Sequence, residues 1–287
     1  MTMTAKSVPI LLAAIGLAGV AGAAPSATAD QIIAKARSYL GSESALAAVR
    51  SVHFVGTMEM EEASPQGPRK VRSPIEIIFQ KPYQQRIALT TEATVQVTGL
   101  DDYDGWQQVQ ERAAPGRWRL ALLQPEMIKK LRANTWENLN FYLGIEKRGG
   151  SVRVIGPAMV DGVAAVKVVF EHEPGISFTR YFDQATGRLV LTETDRGDRI
   201  REEGELMASG VRFPQKVTSA GGGNDTGAKA GTVTVISFER ITINETFADS
   251  EFEMPMVPES PPPAAPAPAV ETPPAVPSAP APPPVAP

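Results

Sequence analysis

The chain has 287 residues, with 28 Lys plus Arg against 32 Asp plus Glu, no cysteine, and two histidines, His53 and His172. A formal net charge of −4 argues against a basic, phosphate-neutralising nucleic-acid binder, so no nucleic-acid partner is expected. Lack of cysteine excludes disulfides, Cys-ligated zinc, iron–sulfur clusters, thiol nucleophiles and a Cys-linked lipid anchor, and two histidines exclude most His-rich metal sites.

Residues 1–29 read as a secretory signal peptide. Lys6 supplies the positive start, Val8 to Val20 is apolar and uncharged, and A-x-A follows at Ala21-Gly22-Ala23 and at Ala27-Thr28-Ala29. The apolar run is shorter than the ~20 residues a spanning helix needs. The expectation is an exported, soluble, periplasmic protein whose folded domain covers 30–257. That domain opens with a helix capped by Asp30, with Ile32, Ile33, Ala36 and Leu40 on one face and Gly41 as its stop. A second short helix follows at about Ser44 to Val49.

Strands come next. In VHFVGTMEM, Val52, Phe54, Met58 and Met60 alternate with polar residues, the period-two pattern of a half-buried antiparallel strand. PIEIIFQ, YQQRIALT, ATVQVTGL and YDGWQQV continue it. Then LLQPEMIKKLRANTWENLNFYLG reads as a helix, with Pro125 at its first position, Gly144 as its end and a break near Asn134. Its Met127, Ile128, Leu131, Leu139, Tyr142 and Leu143 share an arc, with Trp136 at the edge. Strand patterns resume through two turn signals, Asp161-Gly162 and Gln184-Ala185-Thr186-Gly187, and GGGNDTGAKAG reads as an exposed loop before the last strand. About ten to eleven strands with short connections predict an antiparallel, meander-like sheet, and the helical insert must bury its stripe on that sheet. Fourteen of the 26 prolines fall in residues 258–287, a stretch expected to be a disordered, polyproline-II-biased tail.

The chemistry expected of this chain is sparse. No G-x-S-x-G, G-x-G-x-x-G or P-loop spacing occurs. His53, pointing away from the apolar face, and His172, at a strand end, read as ordinary surface or rim histidines. Asp101, Asp102 and Asp104 before Gly105 read as a solvated turn rather than a calcium loop, and Glu202, Glu203 and Glu205 as a solvent face. No catalytic residue, metal or cofactor is therefore expected. An apolar cavity is the remaining candidate site. Met127, Ile128, Leu131, Trp136, Leu139 and Tyr142 would form its lid, and Phe54, Met58, Ile77, Phe79, Ile87 and Leu89 its sheet side. Alternation alone does not distinguish such a cavity from a filled core.

The order of pieces resembles the LolA/LolB-like superfamily of periplasmic lipoprotein carriers, close to the outer-membrane lipoprotein-sorting-like group. The pieces are an export signal, a capped helix, SVHFVGTMEM, YDGW, FYLG, VDGVAAVKVVF, TRYFDQATGRLV, ASGVRFPQKV and ITINETFADSEFEMP, covering about Asp30 to Pro255. Asp183 to Leu189, Gly210 to Pro214, Phe252 and Pro255 carry most of its specificity. The resemblance implies a mainly β fold with a helical lid (α+β): an open antiparallel half-barrel covered by helices over an apolar cavity, with no catalytic residues. It implies a monomeric carrier whose partners are lipid or lipoprotein acyl chains. The core is longer than in compact carriers, and the carriers' functional arginine falls on no single residue here. The alternative on the same fold is an envelope sensor or protein-interaction module, with the proline-rich tail as tether to an envelope protein.

Overall fold

A computed structural model of the protein describes residues 27–64, 67–221 and 233–256. Of the export signal read at 1–29, residues 1–26 fall outside the described residues, as do residues 222–231 of the loop read at 221–231 and the proline-rich tail at 258–287; residues 27–29 are described and lead into the first helix. The chain divides into two units, Met1–Met254 and Pro255–Pro287, and the elements below belong to the first.

Helix α1 (Ala29–Leu40) is capped by Thr28 rather than Asp30. The Thr28 side chain accepts from the Gln31 amide while the Gln31 side chain accepts from the Thr28 amide, a capping box that leaves Asp30 in the first turn. Helix α2 (Glu43–Ala48) is capped by Ser42. Strands β1 (Ser51–Ser64), β2 (Gly67–Gln80), β3 (Gln84–Thr90), β4 (Thr94–Asp101), β5 (Asp104–Glu111) and β6 (Trp118–Leu122) follow as a meander. Helix α3 (Pro125–Asn140) has Pro125 at its start, as expected, and runs unbroken through Asn134. It stops at Asn140, before Gly144, because Phe141 and Tyr142 both take left-handed backbone, with φ of 49° and 72°.

The second half supplies β7 (Ser151–Val160), β8 (Val163–Glu173), β9 (Ile176–Asp183), β10 (Leu189–Thr194), β11 (Arg199–Glu203), β12 (Leu206–Ala208), β13 (Val211–Phe213), β14 (Lys216–Ala220) and β15 (Thr234–Ile243). Thirteen of these strands form one open antiparallel sheet in the order β6-β5-β4-β3-β2-β1-β15-β14-β11-β10-β9-β8-β7, and β12 and β13 form a separate hairpin. The count exceeds the ten to eleven expected. β6 lies just before the helical insert, and two apparent single runs are divided, one at Gly204 (φ 67°) and the other at Pro214.

The topology explains the helix. β6 is one edge of the sheet and β7 is the other, so the chain between them must pass from edge to edge. α3 makes that crossing over one face, touching β1 to β4 on one side and β9 on the other. The strand register defines this inner face. Phe54 stands opposite Ile77, and Ile77 opposite Ile87. Met58 stands opposite Ile236, Ile236 opposite Val217, and Val217 opposite Glu202. Further along, Thr192, Arg180, Val168 and Val154 are successive partners. Two buried clusters fill the space beneath the helices. One joins Leu46, Phe54, Phe79, Leu139, Phe141, Phe213 and Phe238, and the other joins Ile32, Ile33, Phe170, Phe182 and Leu189.

Candidate functional site

α3 is gripped along both flanks. Toward β3, the Thr135 hydroxyl donates to Gln85 Oε1 at 3.0 Å, and both residues are fully buried. Beside the β4–β5 turn, the Arg132 guanidinium pairs with Asp102 and lies between the rings of Tyr83 and Tyr103, 4.0 and 3.7 Å from their centroids. At the helix C-terminus, Arg37 of α1 donates to the carbonyls of Asn140 (3.0 Å) and Phe141 (2.8 Å), which the helix itself leaves unpaired.

The opposite flank carries a buried charge cluster. Glu137 accepts from Arg180 on β9 and from His172 on β8, the latter at 2.6 Å. Arg148 lies 3.4 Å from His172 Nδ1. A guanidinium only donates, so Nδ1 accepts and the proton on Nε2 faces Glu137. All three central residues are at least nine-tenths buried. Burial pushes the Glu137 carboxyl up, but the Arg180 charge and the hydrogen bond from His172 outweigh that and hold it below the usual carboxylate range. His172 is thus a core residue, not the rim histidine expected. His53 is buried as well, on the other face, between the carboxylates of Glu76 and Glu245 at 2.8 Å each.

Between α3 and the inner face lies a cavity of about 270 Å³. Phe54, Ile77, Phe79, Val217, Ile236 and Phe238 form its apolar wall, and Phe141 and Tyr142 close it at the helix end. Glu137, Arg180, Thr192 and Glu202 form a polar wall on the β9–β11 side. Glu202 faces inward rather than to solvent as its neighbours Glu203 and Glu205 do, and burial raises its carboxyl above the usual range. A second space of about 490 Å³ lies under α1, walled by Ile32, Val154, Pro157, Val166 and Phe182, with Lys35 and Asp183 at its border.

Of the twelve site residues expected, Phe54, Ile77, Phe79 and Tyr142 line the cavity. Leu139 is fully buried in the cluster with Phe54 and Phe79, and Leu131 and Met58 are buried outside the lining. Ile87 and Leu89 are half-buried on β3 opposite Ile77 and Ile75. Met127 and Ile128 are half-buried in the first turns of α3, and Ile128 packs at Gly105. Trp136 is outside the lining: it stacks on Tyr83 at 5.9 Å and donates from Nε1 to the Leu143 carbonyl. The polar wall was not anticipated. Its sequence signal is Arg180 in phase with Phe178 and Phe182 on one strand, a charge at an inward position between two aromatics.

Among the described residues, no group of three His, Cys, Asp or Glu side chains is placed to hold a metal ion, and no helix is long and apolar enough to cross a membrane. No protein-family profile and no curated protein sequence matches the chain. Several solved structures are similar to it. A LolA superfamily protein from Nitrosomonas europaea has 12% identity and a TM-score of 0.49 over 80% of this chain and 99% of its own. A DUF1329 family protein from Desulfovibrio piger has 11% identity and a TM-score of 0.48 over 78% and 96%. A putative outer membrane lipoprotein-sorting protein domain from Vibrio parahaemolyticus has 10% identity and a TM-score of 0.46 over 77% and 94%. The fold itself is an open antiparallel sheet with helices laid on one face.

Proposed function

We propose that this protein is a non-enzymatic periplasmic carrier that shelters the acyl part of a lipid or lipoprotein between α3 and the sheet. The observation that carries this reading is the cavity beneath α3, walled by phenylalanine and isoleucine from β1, β2 and β15. A plain core would be closed by those side chains. Here they border open space instead, and such space is stabilised when a chain fills it.

The mechanism is partitioning. At about 270 Å³ the space falls just below the ~300–1,000 Å³ typical of ligand pockets, so a long chain enters only when α3 shifts. Each CH₂ transferred from water contributes about 0.8 kcal/mol, which holds a chain firmly with no covalent step. Release then requires an acceptor of comparable affinity.

The test is a native mass measurement on gently purified protein, followed by uptake of a fluorescent C16 fatty-acyl probe by delipidated protein. A lipid adduct or saturable uptake is expected, and Ile236→Phe, which fills the cavity, is expected to weaken uptake about tenfold. Ligand-free protein that takes up no probe overturns the reading.

A further inference from the structure

The start of α1 bears on where the chain is processed during export. Two A-x-A runs precede the helix or enter it, Ala21-Gly22-Ala23 and Ala27-Thr28-Ala29. Both place small residues where a signal peptidase reads them, so the sequence does not rank one above the other. The second run is built into the folded domain. Thr28 is the N-cap of α1 and Ala29 is its first helical residue. The Thr28 side chain accepts from the Gln31 amide at 3.3 Å, and the Gln31 side chain accepts from the Thr28 amide at 2.9 Å. The Thr28 carbonyl accepts from the Ile32 amide at 3.1 Å. Ala27 and Gln31 also wall the space under α1.

We infer that the signal peptidase cuts the Ala23–Ala24 peptide bond, so that the mature protein begins at Ala24 and keeps Thr28. This rests on the periplasmic reading and narrows it: the segment removed is 1–23 rather than 1–29. The step is hydrolysis of one amide, with water supplying the hydroxyl to the Ala23 carbonyl carbon and the proton to the Ala24 nitrogen. A cut after Ala29 would remove the Thr28 cap and its hydrogen bonds to Gln31 and Ile32 together. It would also put a new α-amino charge on Asp30, at the positive end of the helix dipole. The turn that suffers is part of the core. Ile32 and Ile33 are buried with Phe170, Phe182 and Leu189, and Arg37 further along α1 donates to the last carbonyls of α3. A cut after Ala23 leaves every described residue in place.

The experiment expresses the full chain in a Gram-negative host and reads the periplasmic and cytoplasmic fractions by intact mass and N-terminal sequencing. Periplasmic protein starting at Ala24 is expected. Ala29→Glu blocks the later run with a large charged residue, yet suits the first turn of a helix, and is expected to give the same start. Ala23→Glu is expected to abolish the start at Ala24. A second measurement tests the physical reason. A chain made to begin at Asp30 is expected to melt about 2–4 °C below one made to begin at Ala24, and Thr28→Ala in the longer chain is expected to show part of that drop. A start at Asp30 or at any residue other than Ala24, a start that moves in Ala29→Glu or persists in Ala23→Glu, or equal melting of the two chains overturns the inference and leaves the carrier reading standing. An unprocessed chain confined to the cytoplasm overturns the periplasmic reading with it.

Discussion

Glu137 and Glu202 face the same cavity from different elements, and their surroundings pull their carboxyls in opposite directions. Glu137 is held below its ordinary range, so the unfolded chain takes up its proton first as pH falls. Its stabilisation is complete above pH 4.5 and is lost as pH falls through the folded value. Glu137→Gln leaves Arg180 buried without its counter-charge and is expected to cost about 3–5 kcal/mol in urea unfolding at pH 7. Glu202 has the reverse sign. Its folded carboxyl keeps a proton that the unfolded chain gives up, so its contribution is greatest below pH 4.5 and falls as pH rises. Glu202→Gln removes that loss. The variant is expected to match wild type in thermal denaturation at pH 4 and to exceed it at pH 7.5. None of this was legible from residue type alone, since Glu202-Glu203 and Glu205 look alike in sequence and only the register separates the inward carboxylate from the outward ones. Phe54, Ile77 and Phe79 were legible, because period-two alternation is a direct image of the sheet's two faces.

At the level of elements, α3 was found by its proline start and apolar arc, but the arc described only one flank. Glu137 lies about 120° around the helix from Leu131, and it is buried because β8 and β9 cover a second side. A periodicity argument assigns one buried face to a helix and so places Trp136 and Glu137 at the border or outside. The turn signals were more faithful. Asp161 and Gly162 both have positive φ, as the hairpin signal requires, and Gly187 is left-handed at 82°. The last of these supports α1: a Cβ on Gly187 would come within 2.7 Å of the Lys35 carbonyl oxygen. Gly187→Ala therefore combines a strained φ with a collision against helix backbone, and is expected to lower stability by about 1–3 kcal/mol. A thermal melt reads it directly, and the neighbouring exposed Ala185→Gly serves as the comparison.

For the molecule as a whole, antiparallel pairing and a meander were legible because most strands are joined by short turns. The edge-to-edge order was not, because the pairing of β1 with β15 joins residues nearly two hundred positions apart and no local pattern encodes it. The edges themselves are guarded. β7 is bent by a register shift between Val154 and Gly156 and carries Pro157, and β6 has only five residues, features that discourage pairing with another sheet. Pro157→Thr is expected to increase self-association, read by light scattering at rising concentration. Deleting residues 260–287 is expected to leave acyl-probe uptake unchanged, because every cavity residue lies before residue 239. The crossing helix has a consequence for how such a container fills. Because one segment braces both limbs of the sheet, through Asp102 on one and Glu137 with its strand partners on the other, releasing it also frees the limbs to part. On the proposed carrier reading, access and capacity would then change together, and a ligand too bulky for the resting protein would be admitted by a widening vessel rather than by a raised cover alone.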